Sequence, residues 1–358
     1  MTTCSRPRWM RFRAIARAAA VEVFTHPIQP DSRMALMVYP PNPYADAPTP
    51  EIPDFKRPDS HRIWQLVAGI AAFVIAQVVT ILVYAAIVGV GRLDSLTAGL
   101  GPEATDSYGF GFGLMAGAVT MFVLYLLIMR FIAGAPGHGL RGKNKVTEIL
   151  MGAGLATAVL GVSVGVIALF GGFRITGMTP REELLPAFVL ALGVGLGPAF
   201  TEELLFRGFL LRIFDAWWGW APSLLITSAI FGLVHLGNPD ATVSGAIFIA
   251  IEAGLLLGGA YLLTRRLWLA IAIHAAWNFV QAFVFVSPVS GTGEAVGLFQ
   301  VEWSGSPWLT GGAMGLEGSV ITAVLGLLAG IGLLLLAGKH GTLLPREAVI
   351  RREKAAKR

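Results

Sequence analysis

Long apolar runs separated by short polar segments dominate the chain. At 1.5 Å per residue, about 20 apolar residues cross a bilayer core of roughly 30 Å. The pattern therefore predicts an all-α fold, a polytopic membrane helical bundle of about eight transmembrane helices. The predicted spans lie near 64–91, 108–133, 147–171, 184–214, 221–236, 243–263, 267–286 and 318–337.

Composition supports a membrane protein over a soluble domain. Of the 358 residues, 55% are hydrophobic and only 14% are charged, and there are 44 glycines. Soluble domains carry nearer a quarter charged residues. The chain is therefore expected to fold in lipid.

Basic residues are distributed unevenly between the predicted loops. With eight spans, 24 of the Lys and Arg residues fall on the side of the termini and three on the other. The positive-inside rule then predicts a multi-pass protein of the cell inner (plasma) membrane with both termini in the cytoplasm. The net charge of +5 is explained by this topology and by attraction to anionic membrane lipid, so no nucleic-acid partner is expected.

The two ends of the chain differ from the predicted bundle at 64–337. Nine prolines lie between Pro27 and Pro58, which predicts a disordered cytoplasmic tail over 1–63. A second, basic cytoplasmic tail is predicted over 338–358. The single cysteine, Cys4, argues against a disulfide framework or a thiolate metal site.

Charged residues interrupt the fourth apolar run, in the segment GPAFTEELLFRGFLLR. A carboxylate at the centre of a membrane helix costs roughly 2.5–3.5 kcal/mol on insertion scales. One interpretation is that the span ends at Phe200 and that the carboxylates mark its interface, although the run stays apolar to Phe214. The i,i+4 spacing of Glu203 and Arg207 predicts an ion pair on one helix face, which leaves Glu202 available for chemistry.

Two histidines also lie within predicted spans. His235 falls about 20 Å into the fifth span, and His274 shares one face of the seventh span with Asn278, about 10 to 17 Å in. These depths are similar to that expected for Glu202. Structural alternatives exist for each: His235 as a helix-capping or interfacial residue, and His274 with Asn278 as a hydrogen-bonding contact between helices.

A further carboxylate, Glu252, lies inside the sixth span. Thirteen residues, about 20 Å along a helix, separate it from Arg265. Pairing at the end of the same helix is therefore not expected. We expect Glu252 to support His235 or His274 in a cavity.

The motifs EELLFRG, FGLVH and HAAWN occur in this order on successive predicted helices. Together they resemble the CAAX-protease and bacteriocin-processing family, also called the ABI family, over roughly residues 147–290. The resemblance implies an intramembrane endopeptidase in which Glu202 activates water, assisted by His235, His274 and Asn278. It also implies a peptide or membrane-protein substrate. The family has been described both as metalloproteases and as metal-free glutamate proteases.

Amide hydrolysis needs a base for water, a group that stabilises the oxyanion and a proton donor for the leaving amine. We assign Glu202 as the base, His235 to the water or a metal, and His274 with Asn278 to the oxyanion. Glu202, His235 and His274 could together bind Zn²⁺ with one open position. The chain lacks an HExxH motif, and the charge of Arg207 disfavours a cation nearby, so zinc-dependent and metal-free mechanisms both stay open.

Two other classes of function fit parts of the pattern. A transporter or proton-coupled permease also uses carboxylates and histidines inside the membrane, but no internal repeat or broken helix is evident in the sequence. A non-catalytic immunity or scaffold membrane protein would retain the same residues for stability.

Overall fold

A computed structural model describes residues 62–89, 104–135, 137–293 and 295–344, and of residues 104 and 105 it describes the backbone alone. The predicted Pro-rich tail lies outside these ranges apart from its last two residues, as does Cys4. The predicted basic tail is described only as far as residue 344.

The described chain is mainly helical. The α-helices are α1 (Arg62–Val88), α2 (Ala104–Phe131), α3 (Lys145–Leu169), α4 (Arg181–Glu203), α5 (Arg212–Trp218), α6 (Trp220–Val234), α7 (Val243–Thr264), α8 (Trp268–Phe279), α9 (Pro307–Thr310) and α10 (Val320–Lys339). A π-helix, Leu204–Leu211, joins α4 to α5, and a second, Val280–Val284, extends α8. Short 3-10 turns cover His235–Gly237, Gly312–Met314 and Leu316–Gly318.

Seven helical segments in the described ranges are long and apolar enough to cross a membrane, judged by length and composition. The remaining predicted span corresponds to a shorter apolar helix, Trp268–Val284. The predicted polytopic helical membrane bundle is thus confirmed. One small addition was not predicted, a two-stranded antiparallel sheet of β1 (Phe173–Met178) and β2 (Phe299–Trp303).

The segment that carries the paired carboxylates is one continuous helix, Arg181–Trp218, of 38 residues. It does not end at Phe200, so the carboxylates do not mark its end. The π-helix begins directly after Glu203, and its i→i+5 bonding widens the turn that carries Arg207. The helix stops at Gly219, whose φ of 89° favours glycine.

Small residues allow the helices to approach closely. A Cβ atom added to Gly193 of α4 would lie 2.5 Å from the carbonyl oxygen of Gly111 in α2. A Cβ atom added to Gly326 of α10 would lie 2.7 Å from the Cβ atom of Glu252 in α7. Such contacts are the usual means of helix packing in membranes, where lipid removes the hydrophobic driving force between helices.

The outer faces are apolar. On α1, the side chains of Val67, Val74 and Ile81 recur at seven-residue intervals and are about half exposed, while Ala72 and Ala76 are buried. An exposed apolar stripe of this kind is expected where the solvent is lipid.

Two ion pairs connect the α7–α8 turn to neighbouring helices. Arg265, in the left-handed region at φ 54°, pairs with Asp215 of α5, and Arg266 pairs with Glu148 of α3. Both arginines thus bind carboxylates other than Glu252, in agreement with the prediction from their spacing.

Candidate active site

A cavity of about 20 Å³ lies among α6, α7 and α8, and two loop residues complete its wall. This volume accommodates about one water molecule. The polar residues in the lining are His235, Glu252, His274, Asn278, Ser290 and Glu317, and the apolar ones are Phe231, Ile249, Ala253, Leu256, Leu257, Ile273 and Trp277.

His235 lies where α6 gives way to a 3-10 turn, and its side chain is half-buried. Its Nδ1 atom is 2.6 Å from the carbonyl oxygen of Phe231. A carbonyl oxygen only accepts hydrogen bonds, so Nδ1 carries the proton and Nε2 is the atom available to a ligand. The bond also satisfies a carbonyl in the last turn of α6, so the capping alternative and a chemical role are compatible.

His274 is buried in α8, and its Nδ1 atom lies 2.9 Å from Oε1 of Glu203. The carboxylate accepts the Nδ1 proton, which fixes the ring orientation and stabilises the imidazolium form when it occurs. This contact between α4 and α8 was not predicted from the sequence.

Glu203 and Arg207 form the i,i+4 ion pair that their spacing predicts. Nη1 of Arg207 lies 2.9 Å from Oε1 of Glu203, and both side chains are buried. Nη2 of Arg207 donates to the carbonyl oxygen of Ala253 at 3.1 Å, and its guanidinium carbon lies 4.8 Å from the ring centre of Phe231. Glu203 is therefore shared between Arg207 and His274, and the EELLFRG motif is tied to all three cavity helices.

Glu202 is placed differently from what we expected. Its side chain is half-buried, and Oε2 has no hydrogen-bond partner among the described residues. Its charge acts on both Arg207 and His274, but Glu202 is not among the residues that line the cavity. The structure thus brings His235, His274 and Asn278 around one cavity and leaves Glu202 beside it.

Asn278 lies one turn after His274 on α8 and is buried. Its Nδ2 atom donates to the carbonyl oxygen of Val194 in α4 at 3.2 Å. One amide proton is used in this contact between helices and the second is left for a ligand.

Glu252 lines the cavity as expected, and Glu317 joins it from the 3-10 turn before α10. Oε2 of Glu317 accepts from the backbone N–H of Ser290 and, at 2.8 Å, from its hydroxyl group. Burial raises the pKa of the Glu317 carboxyl, while the Ser290 hydrogen bonds and the charges of His235 and His274 oppose that rise. Glu317 was not among the predicted site residues because it lies outside every predicted span.

The turn at Ser290 and Gly291 is hydrogen-bonded to two other loop segments beside the cavity, those of Asn238 and Glu317. Its residues Ser290 and Gly291 both have positive φ, and the carbonyl oxygen of Ser290 accepts from Nδ2 of Asn238 at 2.7 Å. Asn238 follows His235 by three residues. The turn is therefore connected to the segment that carries His235 as well as to Glu317.

The free nitrogen atoms of the two histidines bear on the predicted zinc site. Both histidines have Nδ1 engaged and Nε2 left over, which suits a metal ligand. Within the described ranges, however, no three His, Cys, Asp or Glu side chains are grouped so that they could hold a metal ion. The zinc site of Glu202, His235 and His274 thus remains a prediction.

The fold and the site geometry together indicate a class of protein. A polytopic helical bundle with buried carboxylate, imidazole and amide groups around a cavity suits an enzyme that works within the membrane. Residues 184–280 match the family model described as "Type II CAAX prenyl endopeptidase Rce1-like". The motifs EELLFRG, FGLVH and HAAWN all lie within this segment, so the match confirms the family resemblance that they carry. No curated protein matches the chain, and no solved structure does.

Proposed function

We propose that the protein is an intramembrane endopeptidase that hydrolyses peptide bonds of a peptide or membrane-protein substrate, with Glu202 activating water. The observation that carries this proposal is the placement of His235 and His274 on one cavity, each with Nδ1 held by a hydrogen bond. This arrangement leaves both Nε2 atoms for water and substrate.

In the proposed reaction, Glu202 takes a proton from a water molecule positioned by Nε2 of His235. The water oxygen attacks the carbonyl carbon, and the oxyanion is stabilised by Nε2–H of the His274 imidazolium and by the Asn278 amide. Collapse breaks the C–N bond, and the proton on Glu202 passes to the leaving nitrogen.

The cavity must widen before a peptide substrate can bind and react there. The cavity has room for about one water, whereas a substrate brings at least one peptide group. Since Glu202 is beside the cavity and not in its lining, we propose that the site opens when substrate binds and that Glu202 then reaches the water. Catalytic contacts often form only in the complex with substrate.

The zinc-dependent form of the mechanism is a second candidate. The two free Nε2 atoms favour it, because metal-bound histidines usually donate their other ring N–H to a carboxylate or a backbone carbonyl, as His274 and His235 do here. A bound Zn²⁺ would act as a Lewis acid and lower the pKa of its water. The buried Arg207 charge argues against it.

We also propose a plasma-membrane location with both termini in the cytoplasm, supported by the Lys and Arg distribution. Membrane lipid is then a constant partner of the apolar outer faces.

Cleavage assays on purified protein in lipid vesicles test the proposal, with membrane-anchored peptides as substrates. Glu202→Gln should abolish cleavage and keep the folded yield, because it preserves shape and removes the base. Glu183→Gln, an exposed position on the same helix, is the matched control and should cleave like wild type. Full activity of Glu202→Gln, or equal loss of folding, would contradict the assignment of Glu202 as the base.

A further inference from the structure

Glu252 is a buried carboxyl group without a partner. The residue is only 1% exposed, and neither carboxyl oxygen has a hydrogen-bond partner in the part of the chain that the structure describes. A carboxyl group left in this state inside a helix bundle costs free energy. It therefore calls for a ligand that is not part of the protein.

The surroundings of Glu252 do not supply that partner. Three buried or half-buried arginines of the bundle are engaged with other carboxylates: Arg207 with Glu203, Arg265 with Asp215 and Arg266 with Glu148. On the other side, Gly326 of α10 lies in close contact with the Cβ atom of Glu252. The side chain lines the cavity instead.

Hydrogen-bond donors and acceptors lie on different walls of the cavity. The α8 wall carries Asn278, which has a spare amide proton, and His274, which can donate from Nε2 as an imidazolium. The α7 wall carries the unpartnered acceptors of Glu252. A trans peptide group is planar, and its C=O and N–H point in opposite directions. A peptide group bound in the cavity could therefore place its C=O at the α8 donors and its N–H at the Glu252 acceptors.

We propose that Glu252 binds the N–H of the scissile peptide group and so orients that group for attack. This inference rests on the proposed endopeptidase function and adds to it a substrate-binding residue on α7. Before substrate arrives, one water molecule occupies the position of the N–H, in keeping with the cavity volume of about 20 Å³.

The test uses a pair of substrates that differ in one atom. A membrane-anchored peptide is compared with its ester analogue, in which oxygen replaces the scissile N–H, and kcat/KM is measured for wild type and Glu252→Leu. We expect Glu252→Leu to lose roughly 10-fold on the amide, the effect of one buried hydrogen bond, and to change little on the ester. Glu183→Leu is the control and should match wild type on both.

Thermal unfolding separates this role from a structural one. Because Glu252 has no partner to lose, Glu252→Leu should unfold at the same temperature as wild type or higher. Failure of both Glu252→Leu and Glu252→Gln to fold would make the residue structural and overturn the inference. Equal losses on amide and ester, or no loss on either, would overturn the inference while leaving the proposed function intact. A wild-type chain that cleaves neither substrate would overturn both.

Discussion

Oε1 of Glu203 lies 2.9 Å from Nδ1 of His274, and the same oxygen atom is 2.9 Å from Nη1 of Arg207. One carboxylate therefore both neutralises the arginine of its own helix and orients the histidine of another. The sequence predicted the contact with Arg207 and assigned Glu203 no other part. The geometry gives Glu203 a positioning role in the proposed chemistry.

The first prediction distinguishes the two contacts of Glu203, the ion pair with Arg207 and the hydrogen bond with His274. Glu203→Gln leaves Arg207 buried without its counterion, which should destabilise the protein by about 3–5 kcal/mol. The double variant Glu203→Met/Arg207→Leu replaces the pair with apolar side chains of similar size and should recover much of that stability. It should not recover cleavage, because His274 has lost its orienting acceptor. Thermal unfolding and cleavage rates are measured in parallel. If the double variant recovered both stability and cleavage, Glu203 would act only as the counterion of Arg207.

The hydrogen bond from Nδ1 of His235 to the Phe231 carbonyl predicts that Nε2 is the ring nitrogen that takes part in the reaction. An Asn side chain places its amide group near the position of Nδ1, whereas a Gln side chain can place its amide oxygen near Nε2, where it accepts from water as Nε2 does. Since Nδ1 is occupied by the Phe231 carbonyl, His235→Gln should retain more activity than His235→Asn. His340, exposed at the end of α10, supplies the control variant His340→Gln. The reverse order of activities would assign the chemistry to Nδ1.

Zinc dependence is tested by metal removal. If His235 and His274 hold Zn²⁺, chelator should abolish cleavage, added Zn²⁺ should restore it, and purified protein should carry about one metal per chain. If the reaction is metal-free, chelated protein should remain active, and Asn278→Ala should lower the rate on the order of 10² to 10³ through loss of an oxyanion donor. Metal analysis of active, chelated protein distinguishes the two forms of the mechanism.

Glu317 predicts a pH dependence of stability. Its pKa in the folded protein is raised from the usual 4.5, so the folded state binds the proton more tightly than the unfolded state. The stabilisation that protonated Glu317 contributes is fully present below pH 4.5. It is lost as the pH rises through the pKa of Glu317 in the folded protein. Glu317→Gln keeps an acceptor for Ser290 but does not titrate, and its unfolding temperature should fall less over that window. An identical pH profile for wild type and variant would contradict this reading.

Much of the architecture could be predicted from the sequence. Long apolar runs locate the helices because burial in lipid leaves few other solutions. The i,i+4 pair of Glu203 and Arg207 is a local property of one helix, so spacing alone was sufficient. His235 and His274 could be placed at similar depths because rise per residue is constant.

The details that spacing could not give depend on rotation and tertiary packing. Glu202 and Glu203 are adjacent, and which of them meets His274 depends on how α4 is rotated against α8, just before a π-helix departs from the 3.6-residue period. Glu317 was missed for another reason. It belongs to a loop that folds back against the cavity, and no periodic pattern marks such a segment.

The helices that carry the two histidines are both short. The α6 segment with its 3-10 turn, Trp220–Gly237, has 18 residues, and Trp268–Val284 is shorter still. At 1.5 Å per residue these reach about 25 to 27 Å, less than the roughly 30 Å of a bilayer core. Thinning of the surrounding bilayer is one way in which such hydrophobic mismatch is relieved. Where the exposed side chains of α6 face lipid, a thinner membrane would shorten the path by which water reaches His235 and the cavity.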